Sequence, residues 1–480
     1  MPWESVRQFL LNTELWQKVV AGVIAGVLLL VIGALVKRGR PPALPGSEVK
    51  TAWSDSPAQG ASGSGITQTL ALDRSQGKVT INVEPGATAN ITIVDYQDGV
   101  VNSENPLVKE LFVEARGYYR SGDFTRAIDR FERCLELEKN HERRGALNIQ
   151  IGNCYSEQAR YLKAAEFYGA GLREARQAGD AEGRASANVG IGNTYLRSPA
   201  SDGPTRGQNV RAAVEHYRQA LQVFLKDEYP VQYAMTQNNL GAAYGNLAAA
   251  TAEERAENVK KAVACYRAAL EIYKKDEYPV DYAMTQNNLG VAYSDLPAAT
   301  AEERAENIKQ AVGCYQAALE IRKKDEYPVQ YATTQNNLGN AYRDLPAATA
   351  EERAENIKKA VDCYLAALEI YKKDEYPVQY AATQNNLGNA YSDLPAVSAE
   401  ERAENVRQAV ACYRAALEIY KKDEYPQDYC VTAQNIGMTL TGIDNDEACR
   451  WLQEAYSLRQ YLPEQGKELE ESMEEAGCAM

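Results

Sequence analysis

The chain has 480 residues, a net charge of −14, 45% hydrophobic and 25% charged residues. The acidic balance excludes the basic footprint of a nucleic-acid binder, and the length exceeds one ordinary core unless the chain is an elongated array. Nine cysteines stand singly with no CxxC pair, and the only histidines are His141 and His216. No metal site and no cofactor are expected from such a set.

Residues 1–18 form a polar flank that carries Trp3 and Trp16, suited to a membrane interface. Val19–Val36 is an unbroken apolar run between Lys18 and Lys37-Arg38, at the short end of what spans a bilayer. A cleaved signal peptide is the competing reading. The long preceding segment with Glu4 and Glu14, and the lack of an A-x-A site, favour a retained single-pass helix. Lys37, Arg38 and Arg40 bias the repeat domain toward the cytoplasm. Gly22 and Gly26 are spaced to let two such helices approach closely, a route to a homo-oligomer.

Residues 37–65, rich in Pro, Gly, Ser and Ala, read as a flexible linker. Residues 66–100 alternate with period two around Ile66–Leu72, Val79–Val83 and Ile91–Ile93, which predicts a small β-meander. Asn90-Ile91-Thr92 is a formal glycosylation sequon, one that a cytoplasmic domain would not use.

From Leu107 onward the 3.6-residue pattern takes over. Leu-Gly recurs at Leu240-Gly241, Leu289-Gly290, Leu338-Gly339 and Leu387-Gly388, in steps of 49 residues. A fixed period of that size marks a solenoid whose units bury their apolar faces against neighbours. Within one period Pro279 opens a helix where its missing N–H costs nothing, and Pro297 follows its end. Thr300 with Glu303 then forms a capping box, repeated at Thr251/Glu254, Thr349/Glu352 and Ser398/Glu401. Ala256, Val259, Val263, Tyr266, Leu270 and Tyr273 make one helical stripe behind the box. Cys265, Cys314, Cys363 and Cys412 follow the same period. They read as small buried hydrophobes in a reducing compartment, too far apart on stacked helices to bond. The unit is helix, loop, longer helix.

These residues resemble the tetratricopeptide repeat (TPR). The match is Leu240-Gly241-x-x-Tyr244 in the first helix and Ala262-x-x-x-Tyr266-x-x-Ala269 in the second, recurring through Ala416. Degenerate copies run from Ala115/Tyr118 to Ala448/Ala455, so eight repeats cover residues 107–462, with a capping helix and tail at 463–480. The Thr-Gln-Asn-Asn-Leu-Gly start and Ala-Leu-Glu-Ile ending are similar to the kinesin-light-chain-like variant, seen in prokaryotic CHAT- and signalling-associated TPR proteins. The resemblance implies an all-α, right-handed superhelical solenoid whose first helices line a concave groove. By position it carries Asn238, Asn239, Asn287, Asn288, Asn336, Asn337, Asn385 and Asn386 into that groove, with Asn340, Asn389 and Arg343 beside them.

Asparagine offers a donor and an acceptor, so such a ladder suits the backbone of an extended peptide; it equally suits bridges between adjacent helices. The Lys/Arg clamp used by TPR proteins that bind acidic tails is missing, which favours a neutral or basic partner. The Tyr-Pro pairs from Tyr229-Pro230 to Tyr425-Pro426 read as turn closures. No P-loop, HExxH, G-x-S-x-G or dinucleotide turn is present, and no enzymatic activity is expected. The expected function is a membrane-anchored scaffold that holds a protein or peptide in its groove. The alternative is a membrane effector of a prokaryotic defence or signalling system, in which the array triggers the transmembrane helix.

Overall fold

A computed structural model describes residues 78–84, 87–92, 103–198, 206–461 and 466–478. The apolar run at 19–36, with Gly22 and Gly26, and the linker at 37–65 lie outside these residues. Among the described residues no helix is long and apolar enough to cross a membrane. Strands β1 (Lys78–Glu84) and β2 (Ala87–Thr92) pair antiparallel, Val79 opposite Ile91, with an irregularity between Asn82 and Glu84. The first strand expected at 66–72 lies outside the described residues.

The helices fall into two compact units, residues 1–183 and 184–480. In the first, α1 (Pro106–Arg120) packs on α2 (Phe124–Leu137), and α3 (His141–Glu157) on α4 (Tyr161–Ala178). Phe112 and Phe131 meet edge to face at the first crossing, at 5.7 Å. In the second unit follow α5 (Ala181–Arg197) and α6 (Arg206–Leu221), then α7 (Pro230–Gly245) and α8 (Ala252–Leu270). The next hairpins are α9 (Pro279–Ser294) with α10 (Ala301–Leu319), and α11 (Pro328–Asp344) with α12 (Ala350–Leu368). The array closes with α13 (Pro377–Asp393), α14 (Ala399–Leu417), α15 (Pro426–Leu440), α16 (Asn445–Tyr456) and a short cap, α17 (Gly466–Glu475).

Local sequence sets each boundary. Proline at the first helical position starts α7, α9, α11, α13 and α15, where no intrahelical N–H is needed. At the second helices, Thr300 Oγ1 accepts from Glu303 N at 3.1 Å while Glu303 Oε2 accepts from Ala299 N at 2.8 Å. The carboxylate thus reaches one residue further back than in the usual reciprocal box. Thr251, Thr349 and Ser398 repeat the arrangement.

In the hairpins between the first and the last, packing turns on one glycine and one tyrosine. A Cβ on Gly290 would stand 2.7 Å from the Tyr315 ring, and one on Gly339 only 2.6 Å from Tyr364. The missing side chain lets the aromatic ring lie on the first-helix backbone, where it is fully buried at Tyr217, Tyr364 and Tyr413. In the second unit α6, α8, α10, α12 and α14 each also meet the next first helix. Apolar clusters follow one another along it, from Ala185 to Cys363, from Ile357 to Cys412 and from Val406 to Ala476. On the outer edge Lys226, Lys275, Lys324 and Lys373 pair with Glu271, Glu320, Glu369 and Glu418 of the following repeat. These exposed pairs add little individually, and they are screened by salt.

The four periodic cysteines are buried and free, and burial pushes the Cys265, Cys314 and Cys363 thiols up to about 12. The expectation that every cysteine stands alone is corrected at the C-terminus. Cys449 on α16 and Cys478 after α17 are joined, their Cα atoms 5.3 Å apart. Their separation of 29 residues gives no motif; only the return of α17 onto α16 brings them together.

Candidate functional site: the first-helix face

Consecutive first helices α7, α9, α11, α13 and α15 touch directly. The contact is made by the paired asparagines. Asn288 Nδ2 donates to Asn238 Oδ1 at 3.3 Å, and Asn337 Nδ2 to Asn287 Oδ1 at 3.4 Å. Asn386 to Asn336 and Asn435 to Asn385 follow, both at 3.2 Å. Asn239 Nδ2 opens the series on Asn193 Oδ1 at 3.0 Å. From Asn288 onward the second amide therefore reaches back to the first amide of the preceding repeat, whereas Asn239 meets Asn193 one turn further along. Asn238 and Asn287 are buried by this, while Asn239, Asn288, Asn336, Asn337, Asn385 and Asn386 are half-buried. The ladder is itself the seam between repeats, and its amide groups are partly spent on one another.

Asn340 and Asn389 sit one turn further along. The Tyr364 hydroxyl donates to Asn340 Oδ1 at 2.7 Å, and Tyr413 to Asn389 Oδ1 at 2.8 Å. Tyr217 does the same to Asn193 at 2.7 Å. These amides give the hydroxyls of buried tyrosine rings an acceptor.

The helix ends carry a second ladder. Arg255 bridges the carbonyl of Gly245 at 2.7 Å and the Asp295 carboxylate of the next repeat at 3.0 Å. Arg304 and Arg353 repeat it toward Asp344 and Asp393, at 3.8 and 3.2 Å. The row of aspartates along the first-helix face is thus largely balanced by arginines from the second helices.

Where these features meet, α11, α13 and α15 frame an open concavity of about 340 Å³. Arg343, Asp344, Asn389, Ser392, Asp393, Asn435, Met438 and Thr439 line it, with Tyr413 at its floor. Arg343 is half-buried and lies 3.4 Å from Asp344, and Met438 stands exposed beside them. Of the residues singled out in the sequence, Arg343 and Asn389 come together here; Asn238 to Asn288 do not line it. Met438 and Thr439 belong to the divergent last hairpin and have no periodic signal, and sequence reading missed them for that reason. Asn435, by contrast, continues the series Asn239, Asn288, Asn337 and Asn386 in steps of 49 and was open to a periodic reading.

Both histidines are held by neighbours. His141 Nδ1 contacts Glu174 at 2.6 Å, and His216 Nδ1 contacts Asn188 at 2.8 Å while its ring stacks on Tyr195. Among the described residues no group of three or more His, Cys, Asp or Glu is arranged to hold a metal.

No known family profile matches the chain. Mitochondrial fission 1 protein B of Arabidopsis thaliana is 50% identical over 54 residues, 11% of this chain and 32% of that protein. The chain therefore spans about a third of the length of the curated relative it matches. Among solved structures, the apo form of RapI superposes with a TM-score of 0.52 at 16% identity, over 78% of this chain and 97% of that one. That likeness shows the fold. A kinesin light chain of nearly identical TPR-like repeats from Podosopora anserina aligns at 18% identity and a TM-score of 0.34, over 47% and 99%.

Proposed function

We propose that this tetratricopeptide-type helical array is a scaffold that holds an extended protein segment against its first-helix face. The observation that carries the reading is the concavity framed by α11, α13 and α15, where polar groups and one exposed methionine converge on a rigid seam. A peptide backbone finds amide and hydroxyl partners in Asn389, Asn435, Ser392 and Thr439, and an apolar side chain finds Met438. Arg343 is the one cation lining the concavity and lies 3.4 Å from Asp344, so no Lys/Arg clamp is offered to an acidic tail, which favours a neutral or basic segment.

The asparagine ladder keeps the repeats in register beneath that segment, and only its unspent amide groups are offered to a ligand. The apolar run at 19–36 is the basis for placing the scaffold on a membrane, with its repeats on the cytoplasmic side. The reading assigns no chemical step to the chain.

The test is capture by the full-length protein. Arg343→Glu and Met438→Glu, each in folded protein, should cut partner recovery at least about tenfold, the loss expected from a buried anchor. Leu162→Glu, at a side chain of α4 that is 87% exposed and belongs to the first unit, should leave it unchanged. Equal recovery by all three variants would remove the site.

A further inference from the structure

The last hairpin ends differently from every inner one. In the second unit α8, α10, α12 and α14 are each covered by the first helix of the next repeat. At the end of the array α16 is covered instead by α17, ten residues long, through Leu469, Met473 and Ala476. This helix stands where a full repeat would otherwise stack, and it is joined there by the Cys449–Cys478 bond.

Its own sequence works against it. Five glutamates, Glu468, Glu470, Glu471, Glu474 and Glu475, share the helix with a single lysine. Glu470/Glu474 and Glu471/Glu475 are like-charged pairs one turn apart, and the last two oppose the helix dipole. A helix this short has no independent stability in water. What retains it is the apolar contact, one hydrogen bond from the Tyr456 hydroxyl to Glu470 at 3.0 Å, and the covalent tie. Gly477, in the left-handed region at φ +72°, turns the chain so that Cys478 N bonds Met473 O at 2.8 Å and its sulfur returns to α16. Both sulfur-bearing residues are half-buried rather than sealed in the core. A dithiol can therefore reach them, unlike the seven buried free cysteines.

The geometry points to a redox latch: the Cys449–Cys478 disulfide holds α17 over the end of the array, and its reduction releases the cap. A thiolate of the dithiol attacks one sulfur, giving a mixed disulfide; its second thiol then closes the ring. The products are two cysteine thiols and the oxidised cyclic dithiol, so electrons and protons balance. With the loop closure gone, the charge repulsion along α17 outweighs its small apolar contact, and Leu469 and Met473 enter solvent. The rest of the array keeps its own seams.

The experiment follows hydrogen exchange by mass spectrometry in the full-length protein, before and after dithiothreitol, with alkylation recording the state of each cysteine. The latch predicts that Cys449 and Cys478 resist alkylation until reduced. Exchange over 466–476 then rises on the order of a hundredfold, while 301–344 stays unchanged. A Cys449→Ser/Cys478→Ser variant should show the fast exchange with or without dithiol. Alkylation of both cysteines in unreduced protein, or unaltered exchange after verified reduction, overturns the proposal. The wild-type arm decides it even where the double variant fails to fold.

Discussion

The hairpins of residues 106–178 and those that follow Pro230 are fastened by different means, although Gly152 lies under Tyr168 in the first group as Gly290 lies under Tyr315 in the second. In the first group the joint between α2 and α3 is a single, unrepeated cluster. Ser103 Oγ donates to the buried Glu138 carboxylate at 2.6 Å, the N–H groups of Lys139 and Asn140 donate to its other oxygen, and Arg144 reaches the carbonyls of Leu135 and Glu138. Glu174 then ties Arg144 to His141. In the second group the joints largely repeat. Amide rungs link α7 through α15, arginine bridges run from Arg255, Arg304 and Arg353, and lysine–glutamate pairs from Lys226, Lys275, Lys324 and Lys373. Arg322–Thr334 is an unrepeated contact. Local charge networks fix one particular geometry, whereas repeated neutral rungs fix a spacing. A duplicated sequence can rely on the second device because each copy supplies both halves of the contact.

Steric demand gives the largest effect, and it separates packing glycines, Gly152 in the first group and Gly339 in the second, from the open Gly117. Gly339→Ala would press a methyl into the Tyr364 ring and should cost about 2–3 kcal/mol. Hydrogen exchange would show the loss concentrated in residues 328–368. Gly117→Ala in α1, where a Cβ meets nothing within 4 Å, should instead stabilise by about 0.5–1 kcal/mol. Loss of stability at both positions would erase the distinction.

The charge cluster gives the next largest effect. Burial pushes the Glu138 carboxyl up, but hydrogen bonds from Ser103, Asn140 N–H and Lys139 N–H, with Arg143 nearby, outweigh it and hold it below the ordinary glutamate value. A lowered folded-state pKa stabilises above the unfolded value, near ~4.3, and that stability is lost as pH falls through the folded one. Glu138→Gln should therefore cost about 2 kcal/mol at neutral pH, and the gap to wild type should close in acid. Denaturation monitored across pH 7 to 3 checks the sign, since a gap that widens in acid contradicts it.

The rung is the smallest of the three. Asn288→Ala leaves Asn238 Oδ1 without its partner and should cost about 1 kcal/mol, confined to residues 230–294. Amide exchange in the neighbouring hairpins should not change.

Much of this fold was legible because it is local. Proline positions, the Thr/Glu boxes and the stripe through Val259, Val263 and Tyr266 each announce themselves within one repeat. The pairing of Gly339 with Tyr364 also follows from spacing once hairpins are assumed. What joins repeats was less legible. That Asn288 meets Asn238, and not Asn239, depends on how one first helix is rotated against the next, which spacing alone does not determine. Asn340 and Asn389 looked like groove residues, yet each holds a tyrosine hydroxyl, because the phenol buried above it needs an acceptor. Arg322 occupies the slot held by Phe224, Tyr273, Tyr371 and Tyr420 and bonds Thr334 at 2.8 Å. Nothing in the structure explains that exchange of an aromatic for a cation. The Cys449–Cys478 bond and the concavity beside Met438 lie in the divergent last hairpin, beyond the reach of a periodic reading.

The rungs have one more property. Each spans 50 positions, one full period and one residue more, so its donor and acceptor always come from successive copies. Excising residues 279–327 would set Asn337 opposite Asn238, in the relation now held by Asn288. Gain or loss of a whole copy leaves every joint intact and alters only reach, so lineages that recombine this gene can adjust the ruler by fixed increments without redesigning it.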